Sequence, residues 1–250
     1  MANIGKDTES GFTAVTADLV GSRSSPDRAA LQARLIDALA SISEELQRSL
    51  VADVQLTAGD EVQALLRTPC TAMRLLQQLA DVVHPTQFAF GIGFGALSTP
   101  LPARRAARKL PLLDGPCFHR ARAALQEAQK RDVWAVAEGF CAWQVPLNAL
   151  LELLGNLRRN WTEKQGLYAA AARDTAQKDV AQRFGVSPSV VSESLKGARL
   201  ELLRRGEGGV EALLQHFAEQ QQQQQFAERA ESAATSAATP NRRPTTRGRR

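Results

Sequence analysis

Phe88, Phe90, Ile92 and Phe94 alternate with Ala89, Gly91, Gly93 and Gly95. No other stretch of the chain restricts its fold as tightly. A period of two is a β-strand, here with one bulky apolar face and one nearly bare face. The bare face fits close packing on the sheet as readily as it fits a ligand. What precedes it completes a pattern. Gly11 to Val20 reads as a strand ended by Gly21. Ser25 before Pro26 is a helix start, and Leu31, Leu35, Ile36, Leu39, Ile42 and Leu46 recur at helical spacing. Val51 to Thr57 and Glu61 to Arg67 read as paired strands about an Ala58-Gly59-Asp60 turn. Met73, Leu75, Leu76, Leu79 and Val83 mark a second helix. The order βαββαβ predicts an α+β fold: a ferredoxin-like antiparallel sheet with both helices on one face. A helix over Arg120 to Lys130 and a short strand over Val133 to Val136 follow.

From Trp143 the pattern is helical only, with Leu147, Leu150, Leu151 and Leu154 in register. This predicts a boundary near residue 142, a helical domain over 143–217, and a tail over 218–250. The tail holds a glutamine run, Gln220 to Gln225, then Ala, Ser, Thr, Pro and Arg with little apolar bulk, so disorder is expected there. Charge is uneven. Residues 1–155 carry 15 Lys/Arg against 16 Asp/Glu, whereas residues 156–205 carry 10 against 5. A nucleic-acid partner would therefore meet the C-terminal half. No apolar run reaches the ~18 residues of a membrane span. Met1 to Ser10 lack the apolar core of a secretory signal, so a cytoplasmic protein with no membrane partner is expected. Cys70, Cys117 and Cys141 show no metal-binding spacing.

Asp18 lies near the end of the first strand and Asp60 at the turn before the third. In a βαββαβ sheet these strands are central, adjacent and antiparallel, so both carboxylates meet at one sheet edge. Two carboxylates with carbonyls, waters and substrate phosphates suit Mg²⁺. Gly21 and Ser22 could present N–H groups to a phosphate. The same residues also fit ordinary turn chemistry. Arg104, Arg105, Arg108 and Lys109 form a basic cluster that fits either a solvated loop or a lid facing phosphate.

Ala17-Asp18-Leu19-Val20-Gly21-Ser22, Gly59-Asp60-Glu61, Phe90 to Gly95, and Asp114-Gly115-Pro116 with Ala121-Arg122 resemble the SatD family over most of residues 12–200. The same landmarks resemble a class III nucleotidyl cyclase domain. That resemblance implies that Asp18 and Asp60 hold Mg²⁺ or Mn²⁺, that a nucleotide binds, and that a homodimer shares composite sites. It places the cyclases' adenine-selecting lysine near Val54, their transition-state asparagine near His119 and their arginine near Ala123. His119 is then the side chain left to meet ribose or phosphate, and Arg120 or Arg122 the one left to replace the arginine. Little or no cyclase turnover is expected, since valine and alanine cannot supply the missing cations.

Val180, Ala181, Phe184, Gly185, Val186, Ser187, Pro188 and Val191 fit two crossed helices. Ala181 allows close approach, Gly185 the turn, and Ser187-Pro188 the second helix start. The segment resembles a bacterial helix-turn-helix, with a recognition helix from Pro188 to about Arg204. Ser189, Ser192, Glu193, Lys196 and Arg199 are the candidates for DNA contact. Together these readings predict a DNA-binding transcription regulator with a metal- and nucleotide-binding sensor domain. The alternative is a nucleotide cyclase or related phosphoryl-chemistry enzyme with an accessory helix-turn-helix.

Overall fold

The computed structural model describes residues 11–21, 28–57 and 60–238. Ser22, the Ser25-Pro26 helix start and residues 239–250 of the tail lie outside them. Five strands form one sheet: β1 (Phe12–Val20), β2 (Gln55–Leu56), β3 (Glu61–Leu66), β4 (Gln87–Gly95) and β5 (Ala135–Glu138), in the order β2-β3-β1-β4-β5. The first four are antiparallel as the sequence pattern requires, while β5 runs parallel to β4 and makes the sheet mixed. β2 is shorter than the Val51 to Thr57 expected. Leu50 and Val51 still bond to the end of β3, but Val51 and Ala52 then turn into a core under Leu65, and Ser43 Oγ accepts the Val54 N–H at 2.9 Å.

Helices cover both faces. α1 (Arg28–Glu45) and α2 (Ala72–Val83) bury Leu31, Leu35, Leu39, Leu75 and Leu79 against Val15, Ala17, Phe88 and Phe90 on one face. α3 (Pro116–Arg131) lies on the other, over β4, β1 and β5. The bare face of β4 is what admits it. A Cβ on Gly91 would stand 2.0 Å from the Ala121 carbonyl oxygen, and one on Gly93 2.2 Å from the Cys117 oxygen. These glycines therefore serve helix-on-sheet contact.

α4 (Gln144–Arg159), α5 (Glu163–Ala171), α6 (Gln177–Phe184), α7 (Pro188–Gly197) and α8 (Leu200–Ala238) follow. Position 142 separates mixed from helical chain, yet packing runs straight across it. One core includes Phe94, Phe140, Leu147, Leu151, Leu154, Val210, Leu214 and Phe217. The Phe217 ring lies 4.7 Å from Phe94 and 5.0 Å from Phe140, centre to centre. Beneath α2 and α8, Asp81 accepts from Arg158 and Arg173, and Glu207 faces the same two guanidiniums at 3.6 and 3.5 Å. Burial raises the Glu207 pKa, against the lowering charges of Arg173 and Arg158. Burial opposes the Arg173 charge, but the bond and charge of Asp81, with Glu207, outweigh it and raise its pKa.

Two expectations are corrected here. The tail is not disordered from residue 218: α8 continues through the glutamine run to Ala238, as glutamine's good helix propensity allows. The second helix of the crossed pair stops at Gly197 rather than near Arg204. Arg199 adopts a left-handed φ of 53°, and the Trp161 indole N–H donates to the Ala198 carbonyl at 2.8 Å, which fixes the break. No helix among the described residues is long and apolar enough to cross a membrane.

Candidate functional site

The carboxylate edge is built by strand register. Asp18 pairs with Glu61 on β3 and with Ala89 on β4, and directly opposed residues share a face. The face is the one under α3. Two like charges opposed across a ladder repel, and α3 answers both. Arg122 makes a two-pronged bond to Glu61, one arm at 2.8 Å, and Gln129 donates to Asp18 at 2.7 Å. Positions 122 and 129 are seven apart, hence on one stripe of the helix. Glu61 and Gln129 were missed by sequence reasoning, because their roles depend on register and helix placement. Thr57 and Gln63 also donate to Glu61.

Asp60, half-buried, is the residue before Glu61 in the turn, so it stands at the same sheet edge as Asp18. Gly21 ends β1 there with a φ of 70°. His119 is not brought to this edge. It lies one turn before Arg122 on α3, and its Nε2 is engaged with Asp114 at 2.8 Å instead of with the carboxylates of β1 and β3. Val54 is buried. Of the basic cluster, Arg105 donates to the carbonyls of Gln47 and Leu50 and to Asp53, and Arg108 to those of Pro102 and Val51. These two arginines pin the α1–β2 connection instead of forming a lid. Cys117 is fully buried, which pushes its thiol up to about 11 and leaves it protonated and inert.

Asp18 and Asp60 are two carboxylates at one end of the sheet, Asp18 accepting from Gln129, with Glu61 engaged by Arg122. Among the described residues no group of three or more His, Cys, Asp or Glu could hold a metal. The donor set fits an ion carried in with phosphates, since Mg²⁺ takes one or two carboxylates and completes its shell from phosphate and water.

The second candidate region is the α5–α6–α7 unit. Thr162 and Gln165 cap α5 reciprocally. α6 ends at Gly185 in the left-handed conformation, φ 64°, and its N–H and that of Val186 close the last turn. Ser187 Oγ accepts from Val190, with Pro188 at the first helical position. Val180, Ala181, Val191 and Leu195 are buried between the helices, and Tyr168 meets Phe184 edge-on at 5.1 Å. Ser189, Ser192, Glu193, Lys196 and Arg199 are all exposed, and the Ser189 hydroxyl is within 2.8 Å of Ser187 Oγ. Beside them a cleft of about 570 Å³ opens between α7 and α8, bordered by Ser192, Lys196, Arg199, Arg204 and Arg205. Arg204 also donates to the Ala172 carbonyl.

Fold and surfaces together define an α+β protein in which a carboxylate-edged sheet and a tri-helical unit share one core. The sequence profile of the SatD family matches residues 12–214, and the chain belongs to that family. The match extends from β1 to Leu214 on α8, across both halves of the shared core. No curated protein matches the chain.

Proposed function

We propose that this chain is a cytoplasmic DNA-binding regulator whose sheet half takes up a nucleotide with a divalent metal. The observation that carries it is the exposed face of α7 beside the cations Lys196, Arg199, Arg204 and Arg205 of the adjoining cleft. A capped, tightly turned helix presents Ser189, Ser192, Glu193, Lys196 and Arg199 to solvent beside a cleft rich in Lys and Arg. That combination suits a helix-turn-helix in which α7 enters the major groove and the cations at its end meet phosphates. Because α7 stops at Gly197, Lys196 and Arg199 lie at its C-terminal end, and Ser189 and Ser192 are nearer the base edges.

The nucleotide reading rests on Asp18 and Asp60 at one edge, with Gly21 beside them. A bound Mg²⁺ would supply charge for phosphate oxygens, and Asp18 and Asp60 are the residues to hold it. Cyclase turnover is not part of the proposal: His119 is paired with Asp114, and Arg122 is engaged by Glu61.

One experiment tests both halves. Full-length protein is titrated against genomic duplex fragments at two salt concentrations, with and without Mg²⁺ and nucleoside triphosphates. Binding should fall steeply with salt as phosphate contacts release counterions. Lys196→Ala with Arg199→Ala should weaken it. Asp18→Asn should abolish metal-dependent nucleotide binding while leaving the fold and DNA binding in place. Salt-insensitive or absent DNA binding refutes the regulator; unchanged nucleotide binding in Asp18→Asn refutes the metal site.

A further inference from the structure

A cleft of about 480 Å³ opens on the α3 side of the sheet, on the far side of Asp18 from Glu61. Its size is within the ~300–1,000 Å³ of small-molecule sites. Register builds its floor: Val20 pairs with Gln87, and Asp18 with Ala89, at the end of β1 and the start of β4. The last turn of α3 forms one wall and Trp134 with Arg159 the other. The floor is small and apolar, and two primary amides, Gln87 and Gln129, border it.

The charges around this cleft select against phosphate. Asp18 and Asp132 are both at its border, and the carbonyl end of α3 points the same way. Arg159 is already engaged with Asp132, through its carboxylate at 2.8 Å and its carbonyl at 2.6 Å. An uncharged planar group fits instead. A glutamine amide offers a donor and an acceptor side by side, which matches the hydrogen-bonding edge of a nucleobase. A flat apolar floor of Val20 and Ala89 suits its ring face.

We infer that this cleft is the nucleobase pocket of the chain, with Gln87 reading the base edge and Val20 and Ala89 lying under the ring. The inference rests on the nucleotide reading above and adds the base's location. Asp18 then stands between two sub-sites: metal-bound phosphates toward Asp60, and the base toward Gln87 in the cleft that Gly21 also lines. This differs from the position near Val54 implied by the cyclase resemblance, where the side chain is buried.

The test is calorimetry on the full chain in Mg²⁺, comparing the four common nucleoside triphosphates with inorganic tripolyphosphate. At least one nucleotide should bind about tenfold more tightly than tripolyphosphate, the worth of one well-made polar contact pair. Gln87→Ala should remove that advantage and leave tripolyphosphate binding unchanged. Val20→Trp, at a half-exposed position lining the cleft, should fill it and do the same. If tripolyphosphate binds as tightly as every nucleotide, or both variants keep the preference, the pocket is refuted and the metal-phosphate reading stands. If neither tripolyphosphate nor any nucleotide binds, the nucleotide reading fails and takes the pocket with it.

Discussion

Replacing Phe217 by alanine tests whether the sheet and the helices are one cooperative unit. The ring is 1 % exposed on α8 and packs edge-on to Phe94 and obliquely to Phe140. Removing a buried phenylalanine costs about 3–5 kcal/mol. The two ring contacts place this site at the upper end, since each such pair adds about 0.5–1.5 kcal/mol beyond area burial. Against a total stability of about 5–15 kcal/mol the loss is large. At about 2–4 °C per kcal/mol for a chain of this size, the melting temperature should fall by roughly 8–16 °C. Two probes are followed through urea denaturation: far-ultraviolet circular dichroism and tryptophan fluorescence. Trp143 stacks on His216 and donates to Gln220, so it senses α8, whereas Trp134 packs on Phe90 in the sheet. In Phe217→Ala both probes should shift together to lower urea. A shifted Trp143 signal with the sheet transition left at its wild-type midpoint would refute the single core and restore a boundary at residue 142.

Two further outcomes follow from the polar contacts. Arg122→Ala should destabilise the fold by about 1 kcal/mol, because it leaves Glu61 facing Asp18 uncompensated; adding Glu61→Gln should recover about half of that, and a double-mutant cycle with zero coupling would contradict the register argument. Cys117 should resist thiol reagents in the native protein while exposed Cys141 reacts at once. Its folded pKa of about 11 exceeds the ordinary 9.0, so the folded state holds the proton longer. The Cys117 contribution to stability should therefore be constant below pH 9 and fall by about 1.4 kcal/mol per pH unit toward pH 11, a slope that Cys117→Ala should lack.

The sequence pattern revealed what depends on local periodicity. The Phe/Gly alternation of β4 specified both a strand and a bare face, and the leucines of α1 specified an amphipathic helix. The turn at Gly185 and the cap at Ser187 were equally local. The long α8 was not recognised although its buried series was present: Leu200, Leu203, Glu207, Val210, Leu214 and Phe217 recur every three or four residues. Gly206, Gly208 and Gly209 interrupt it like helix breakers, and a glutamate occupies a core position. Packing explains both features. A Cβ on Gly206 would stand 2.7 Å from the Leu154 side chain, so α4 and α8 require the glycine to approach. Glu207 is tolerated because Arg158 and Arg173 face it. At the carboxylate edge, Asp18 and Asp60 were visible as residues, and Arg122 as a nucleotide contact that the resemblance implied, but Glu61, Gln129 and the pairing of Arg122 with Glu61 were not. Their meeting depends on strand register and on where α3 lands, and neither is encoded by a local spacing.

The buried ion cluster bears on how the two halves would act together. Asp81 belongs to α2, under the sheet; Arg158 closes α4; Arg173 lies in the turn before α6; Glu207 belongs to α8. Four elements thus meet through charges that are costly to leave unpaired away from water. α2 cannot slide on the sheet without disturbing the turn that leads into the tri-helical unit. A packed core with such a joint switches between discrete arrangements more readily than it deforms smoothly. If a nucleotide at the Asp18 edge and DNA at α7 each discriminate between the arrangements, each changes the affinity for the other by the same factor, because coupling between two binding sites is reciprocal. Asp81→Asn separates coupling from binding. It should leave each ligand bound when tested alone and lower the factor by which nucleotide changes DNA affinity. An unchanged factor would remove the ion cluster from the connection and leave the shared apolar core, including the aromatic contact of Phe94, Phe140 and Phe217, to link the sheet to α8.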